Sequence, residues 1–586
     1  MKGIYLDYNS PVKTGKPLNV KLRIDNRYGF ISEAKVLFNL HGQEPGKEAV
    51  VDFKYNEAES NDEYSTFCAT KFFDKPSYHT FYIAVKLNGV WQNIKNSSEE
   101  NEPTLENGKQ NLEFWKCYSY LNTFKTPDWV KGGTMYQIFI DTFCCKAPPE
   151  SVRNKLVSWS TFPKWRPDAD GEYRNDQYYG GNFKGIISKL PYIKSLGVTV
   201  IYLTPVFKGS SSNRYDIVDY EQIDEKIGTW EDFAELKAKA NALGIKLVLD
   251  VVLNHASFEN VIAKVFPDLF TGGNWWGFKN LIVFDKNNPK YYELVEKWIK
   301  LYSNYVDGLR LDVADELPDF VLRFIRKVAK KYGLYILGEV WKNAATGDFR
   351  GFLYGDELDG VMNYQFTNAI YRLVRWKNFD YFRGVVNDIK TLYPPEALDV
   401  SPTFLSSHDI PRIQNILVGD YMKEDPRYEN TWDMEKDVHW FTNGKFDTYR
   451  FRKWEVENDK IIGEKLLLAK KMQKLAVFFQ YTLPGLPSIF AGDEIGMTGF
   501  KDPMNRKPFD WDNIDYEMLN FYVQMGQFRN SYRELFADSR NFTLPEMTRK
   551  QKIVQFRREK MNCTVDLSNL KCTAEINGKT ELCVVA

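Results

Sequence analysis

Three carboxylates, Asp312, Glu339 and Asp409, each follow a short apolar run and stand among residues suited to binding hydroxyl groups. Asp312 closes Gly308-Leu-Arg310-Leu-Asp312, so Arg310, two positions back, points to the same side of an extended chain. A cation there favours the ionised carboxylate that a nucleophile requires. Glu339 closes Tyr335-Ile-Leu-Gly338-Glu339. Apolar surroundings of that kind raise a carboxyl pKa, which suits a general acid. Asp409 follows His408 in Phe404-Leu-Ser-Ser-His408-Asp409. Glycoside cleavage with retention needs one carboxylate to attack the anomeric carbon and one carboxylic acid to protonate the leaving oxygen. Two acids in different surroundings meet both needs.

The elements that must hold these acids change character along the chain. Up to about residue 120 there are short alternating runs, such as Leu18 to Ile24, Ala34 to Leu40 and Thr80 to Leu87, broken by Gly, Pro and Asn turns. This spacing predicts an N-terminal β-sandwich over 1–124, serving carbohydrate binding or dimerisation, with a surface loop from about 96 to 110. From 125 to 536 strand and helix alternate. Thr229 with Asp232 reads as a capping box, Phe233, Leu236, Ala240 and Leu243 recur at helical spacing, and Gly244 ends the helix. Continuous apolar runs at 135–140, 198–203, 245–252, 308–312, 335–339, 360–363, 403–407 and 488–491 predict eight buried parallel strands. The fold class expected is α/β, a closed (β/α)₈ TIM barrel. Its polar residues Tyr215, Asp250, Asn254, His255, Asp312, Glu339, His408 and Asp409 fall near or after strand C-termini, where such barrels keep their active sites. A short excursion is expected at about 256–289, an aromatic-rich insertion at about 414–458, a last amphipathic helix at 521–536 and a small C-terminal β-domain at 537–586.

Composition narrows the function classes. The 586 residues imply several domains, and 78 Lys+Arg balance 78 Asp+Glu. That balance gives no electrostatic reason to expect nucleic acid or an anionic membrane as partner. No run reaches the roughly 18 apolar residues that span a bilayer, and the N-terminus lacks a signal-peptide core. Seven cysteines without regular spacing argue against a disulfide framework and a zinc site. The expectation is a cytoplasmic chain.

Four stretches carry a family resemblance: DVVLNH at 250–255, GLRLD at 308–312, GEVW at 338–341 and SSHD at 406–409. In order and spacing they resemble the four signature regions of the α-amylase family, supported by YYGGNFKGI at 178–186, RYDIVDY at 214–220 and GLPSIFAGDEIGM at 485–497. Four motifs in register are specific where one alone would be weak. The resemblance implies Asp312 as nucleophile, Glu339 as acid/base and Asp409 as a third carboxylate that binds sugar hydroxyls. It further implies that His255 and His408 hold hydroxyls, that Arg310 orients Asp312 and that Tyr215 stacks on the sugar. Trp341 reads either as lining the aglycone side or as packing under the sheet. Asp250 reads equally as a binding residue or as a structural acid bonded to Arg310. Arg506 reads equally as a substrate contact or a structural ion pair. Asp493 and Glu494 read as structural, and Lys465, Lys470, Lys471 and Lys474 as a solvated helix face. Asn254 matches a position that often helps bind Ca²⁺, so Ca²⁺ is an optional ligand and no cofactor is required.

Within the family the chain resembles the neopullulanase, cyclomaltodextrinase and maltogenic amylase group, which implies α-glucan oligosaccharide substrates and a homodimer as one arrangement. Departures are Leu281-Ile-Val-Phe-Asp285 in place of an MPKLN-like region, Asp315-Glu316 after the nucleophile, and the long 414–458 segment. Tyr421, Tyr428, Trp432, His439, Trp440, Phe441, Tyr449 and Trp454 in that segment are expected either to cap the cleft by stacking on sugars or to pack inward as a lid or dimer contact. Beside hydrolysis stand two alternatives, an α-glucan transglycosylase with the same site and a non-catalytic glucan-binding scaffold. Loss of any of the three acids would favour the scaffold, and none is lost.

Overall fold

The computed structural model describes residues 3–40, 48–96, 104–106, 114–171, 173–347, 350–420 and 448–585. Most of the loop expected at 96–110 lies outside them. So do His41 and the insertion residues Tyr421, Tyr428, Trp432, His439, Trp440 and Phe441.

The chain divides into two compact units. The first comprises Met1–Lys125 with two later segments, Asn343–Glu357 and Val386–Glu396. It holds two mostly antiparallel sheets. One runs Ile4–Tyr8, Pro17–Asp25, Tyr64–Phe72, Lys54–Tyr55; the other is built around Ser77–Leu87, which pairs with Ile31–Leu40, Val90–Lys95 and Trp115–Tyr120. Alternation along Pro17–Asp25 turns Leu18, Val20, Leu22 and Ile24 inward, against Val36, Phe38, Phe81 and Ile83 from the second sheet. That is the sandwich its period-two runs predict. The two later segments were not legible in those runs. Their contacts within this unit include Tyr78 N–H to the Tyr354 hydroxyl, the Tyr118–Tyr354 ring pair, the Lys116–Asp388 ion pair and the Tyr120 hydroxyl to Glu396.

The second unit contains all eight expected parallel strands: Met135–Ile138, Val200–Leu203, Lys246–Val251, Gly308–Leu311, Tyr335–Gly338, Gly360–Val361, Pro402–Phe404 and Leu486–Phe490. In space they run sixth, fifth, fourth, third, second, first, eighth, seventh. The remaining seam, between the sixth and seventh strands, is spanned by the Asn363 amide donating to Pro402 O at 2.8 Å. The helices form where the pattern places them. Thr229 and Asp232 make a reciprocal capping box on Trp230–Ala242. Asn288 caps Pro289–Tyr302, whose Tyr291, Val295, Trp298, Ile299 and Tyr302 recur on one buried face. The excursion is a small sheet of His255–Ser257, Leu281–Phe284 and Phe270–Asn274.

After the helix Tyr516–Ser531 comes a five-stranded antiparallel sheet from Glu546–Thr548 to Lys579–Val585. It is not a separate compact body. Arg558, fully buried, donates to Thr482 O at 3.0 Å and Leu535 O at 2.8 Å, and Phe556 packs on Phe479, so the sheet shares a core with the barrel helices.

Candidate active site

Each of the sequence-predicted acids emerges at a strand end. Asp312 follows Gly308–Leu311, Glu339 follows Tyr335–Gly338, and His408 and Asp409 come shortly after Pro402–Phe404. The strands bury nearly every side chain, so the first residue past each ladder is the first that can face the mouth of the barrel.

Arg310 is the hub. Its guanidinium is fully buried; Nη1 donates to Asp250 Oδ1 at 2.9 Å and to Asp312 Oδ1 at 2.8 Å, while Nη2 lies 2.9 Å from Glu339 Oε1. Glu339 Oε2 accepts from the Val313 amide at 2.7 Å, and Oε1 accepts from Trp341 Nε1 at 3.2 Å. Arg310 meets Asp312 and is shared further, one cation among three acids. Burial pushes Asp312 well above the usual carboxylate range, Arg310 being the main counterweight and the Glu339 charge adding to the rise. Glu339, Asp250 and Asp409 are raised for the same first reason. With Arg310 and Arg506 as the cations beside them, four carboxylates, three buried and Asp409 half-buried, carry more negative charge than the site can neutralise, so the cluster holds protons tightly. Glu339 differs from Asp312 in having the Val313 amide and the Trp341 N–H as partners beside the shared Arg310.

A second set of contacts fixes the histidine. The Gln137 amide donates to His408 Nδ1 at 2.7 Å, which leaves Nε2 carrying the proton toward the Tyr215 hydroxyl at 2.5 Å and Asp409 Oδ2 at 3.1 Å. Tyr215 donates onward to Asp250 Oδ2 at 2.8 Å, and Tyr202 donates to the same oxygen at 2.6 Å. Burial, reinforced by Arg506 and Arg310, holds His408 well below its usual pKa, so the ring is neutral. Tyr215 lies parallel to His408 with ring centres 5.4 Å apart, its hydroxyl on the edge of the imidazole. Asp250 is wholly buried with both oxygens taken by protein donors. Of its two readings, the structural one describes what it does, and the substrate-binding assignment is corrected. Arg506 donates to His408 O at 2.7 Å and pairs with Asp409 at 3.4 Å and Asp502 at 3.3 Å, which is the ion-pair reading. Asp493 pairs with Arg412, and Glu494 accepts from Tyr136 and Tyr192, both structural.

His255 is buried, stacked on Trp275 at 4.4 Å, and pushed down to about 3 by burial and the Lys286 charge. Trp275 itself donates to Glu316 Oε2 at 2.7 Å and stacks on Trp276 at 4.8 Å. Trp341 stacks on Tyr364 at 4.0 Å while pointing its N–H at Glu339. Gln137, Tyr202, Trp275 and Tyr364 escaped the sequence reading. Gln137 had a signal, a lone amide inside the wholly buried strand Met135–Ile138. Trp275 had none, because its partner His255 is twenty residues away on another strand of the excursion.

Asp315 is raised from 3.8 to about 7, by burial first and the Glu339 charge second. A carboxyl that binds its proton more tightly folded than unfolded costs stability as pH climbs from about 4 to about 7, and the full cost persists above that window. Asp315→Asn keeps an oxygen for the Trp341 amide and removes the charge. It is expected to raise Tm by a few degrees at pH 8 and to leave it unchanged at pH 4. Thermal melts at the two pH values check this, and an equal shift at both would refute it.

The comparisons with known proteins agree with this geometry. Residues 134–266 match the α-amylase catalytic-domain family. A cyclomaltodextrinase of Thermoanaerobacter pseudethanolicus is 30% identical over 464 residues, covering 72% of this chain and 68% of that protein. An amylopullulanase of Thermoanaerobacterium thermosulfurigenes is 31% identical over 493 residues, 71% of this chain but 24% of its own. The chain spans about a quarter to a third of the length of the amylopullulanases it matches. A solved cyclomaltodextrinase structure superposes with a TM-score of 0.64 at 22% identity, covering 96% of this chain and 90% of that one, a likeness of fold. The chain belongs to the α-amylase family. Its relatives there include enzymes of the neopullulanase, cyclomaltodextrinase and maltogenic amylase types.

Proposed function

We propose that the chain hydrolyses α-1,4-glucosidic bonds, with some α-1,6 cleavage, in maltooligosaccharides, cyclodextrins, pullulan or starch fragments, by double displacement. The observation that carries this reading is the meeting of Asp312 and Glu339 on the two arms of the Arg310 guanidinium at the mouth of the barrel. In the first step Asp312 attacks the anomeric carbon while Glu339 gives its proton to the departing glycosidic oxygen, so the C–O bond breaks as an ester to Asp312 forms. In the second, Glu339 takes a proton from water, the hydroxide attacks the same carbon, and the bond to Asp312 breaks. We assign His408 and Asp409 to the hydroxyls of the attacked ring. Trp341 stands on the leaving-group side of Glu339. The names of the pullulan- and cyclodextrin-degrading relatives support the substrate class.

The test is a product profile on maltoheptaose, β-cyclodextrin and pullulan, with proton NMR of the first sugar released. Double displacement predicts the α-anomer first. A β-anomer would overturn the retaining mechanism, and no reducing sugar from any substrate would overturn the hydrolase reading.

We further infer a cytoplasmic setting and a homodimer. All seven cysteines are free thiols, which supports a reducing compartment. Among the described residues no helix is long and apolar enough to cross a membrane. The 1–124 sandwich is the segment we assign to dimerisation or glucan binding.

A further inference from the structure

The residue that resembles a Ca²⁺ ligand does not face a place for a metal ion. Lys286 Nζ donates to Asn254 Oδ1 at 2.7 Å and to the Asn254 carbonyl at 2.9 Å. Both oxygens that Asn254 could offer a cation are thus aimed at an ammonium carried on the chain. The Asn254 amide nitrogen in turn donates to Glu316 Oε2 at 3.4 Å, the oxygen that also receives Trp275 Nε1. Among the described residues there is no group of three or more His, Cys, Asp or Glu side chains that could hold a metal ion. The donor set does not fit Ca²⁺, which asks for six to eight oxygens, usually with several carboxylates.

We propose that the Lys286 ammonium is a tethered replacement for a divalent cation, joining the loop after the third barrel strand to the excursion and making the fold indifferent to Ca²⁺. The geometry supports this at each joint. Asn254 directly precedes His255–Ser257, and Lys286 follows Leu281–Phe284, the strand that pairs with it. A single ammonium there closes the loop formed by residues 254–286. It also fixes Asn254 so that its amide meets Glu316, which holds Trp275 against His255. A lysine has three donors and no need of a filled coordination shell, so two Asn254 oxygens suffice where a metal would require more.

Melting of the full-length chain tests the proposal. Wild type is expected to show the same Tm in EGTA, in buffer and in millimolar CaCl₂. Lys286→Met is expected to melt several degrees lower in all three. Lys286→Arg, which keeps a cation, is expected to recover most of that loss. A wild-type Tm that drops in EGTA or rises with CaCl₂ would overturn the proposal. So would a Lys286→Met chain that melts with wild type.

Discussion

Asp312→Asn is expected to lower kcat on maltoheptaose by roughly 10⁴-fold or more while leaving the chain folded, because removing the group that forms the covalent bond removes the route itself. The substitution is nearly isosteric. Its remaining oxygen can still accept from Arg310, and the loss of one charge from an over-acidic cluster relieves repulsion rather than creating it. Tm should therefore hold or rise. Glu339→Gln separates the two roles. It cannot protonate a sugar leaving group, so it should be as damaged as Asp312→Asn on maltoheptaose. On an aryl glucoside whose phenolate leaves unaided, Glu339→Gln should keep its first step and release a burst of phenol. Asp312→Asn should give no burst on either substrate. Rapid-quench kinetics with both substrates reads this directly, and a burst from Asp312→Asn would remove it from the nucleophile's place.

The second large effect falls on stability. Arg310→Met is expected to cost about 3–5 kcal/mol at neutral pH, the usual penalty for stripping the partner from buried charges. Here the orphaned partners are Asp250, Asp312 and Glu339 together. Without the guanidinium their pKa values climb further, so they fold with protons that the unfolded chain releases. The penalty should therefore shrink as pH falls toward 4 and grow as pH rises. Urea unfolding at pH 5 and pH 8 measures it. Arg310→Lys should rescue little, since one ammonium cannot reach all three carboxylates that the two arms of the guanidinium reach. A variant as stable as wild type at pH 8 would mean that Arg310 is not what neutralises the cluster.

Much of the fold could be read from the chain because buried parallel strands leave a signature that needs no partner: a continuous apolar run ended by a turn. Expected strands overshoot at the C-terminal side, 135–140 against Met135–Ile138 and 245–252 against Lys246–Val251. Asp312 and Glu339 lie in that overshoot, just past the last ladder residue, because the chain there has left the sheet to build the site. The three acids and His408 could be read from their motifs. What could not be read was most of what is decided through space. Nothing in Gly308-Leu-Arg310-Leu-Asp312 says that Arg310 also reaches Glu339. The pairing of Lys286 with Asn254 depends on how the excursion folds back. Asp250 illustrates the same limit, since its two sequence readings differ only in whether Tyr202 and Tyr215 arrive.

The Gln137 amide, set into the first barrel strand, bears on what happens before any sugar arrives. By donating to Nδ1 it chooses the histidine tautomer, and every hydrogen bond downstream through Tyr215 to Asp250 inherits its direction. Water facing the same sugar would have to turn its dipoles as charge develops at the anomeric carbon. This wall has no such freedom. Under the proposed mechanism, the reorganisation that solvent would perform during the reaction is completed when the barrel folds, which would lower the barrier by that amount.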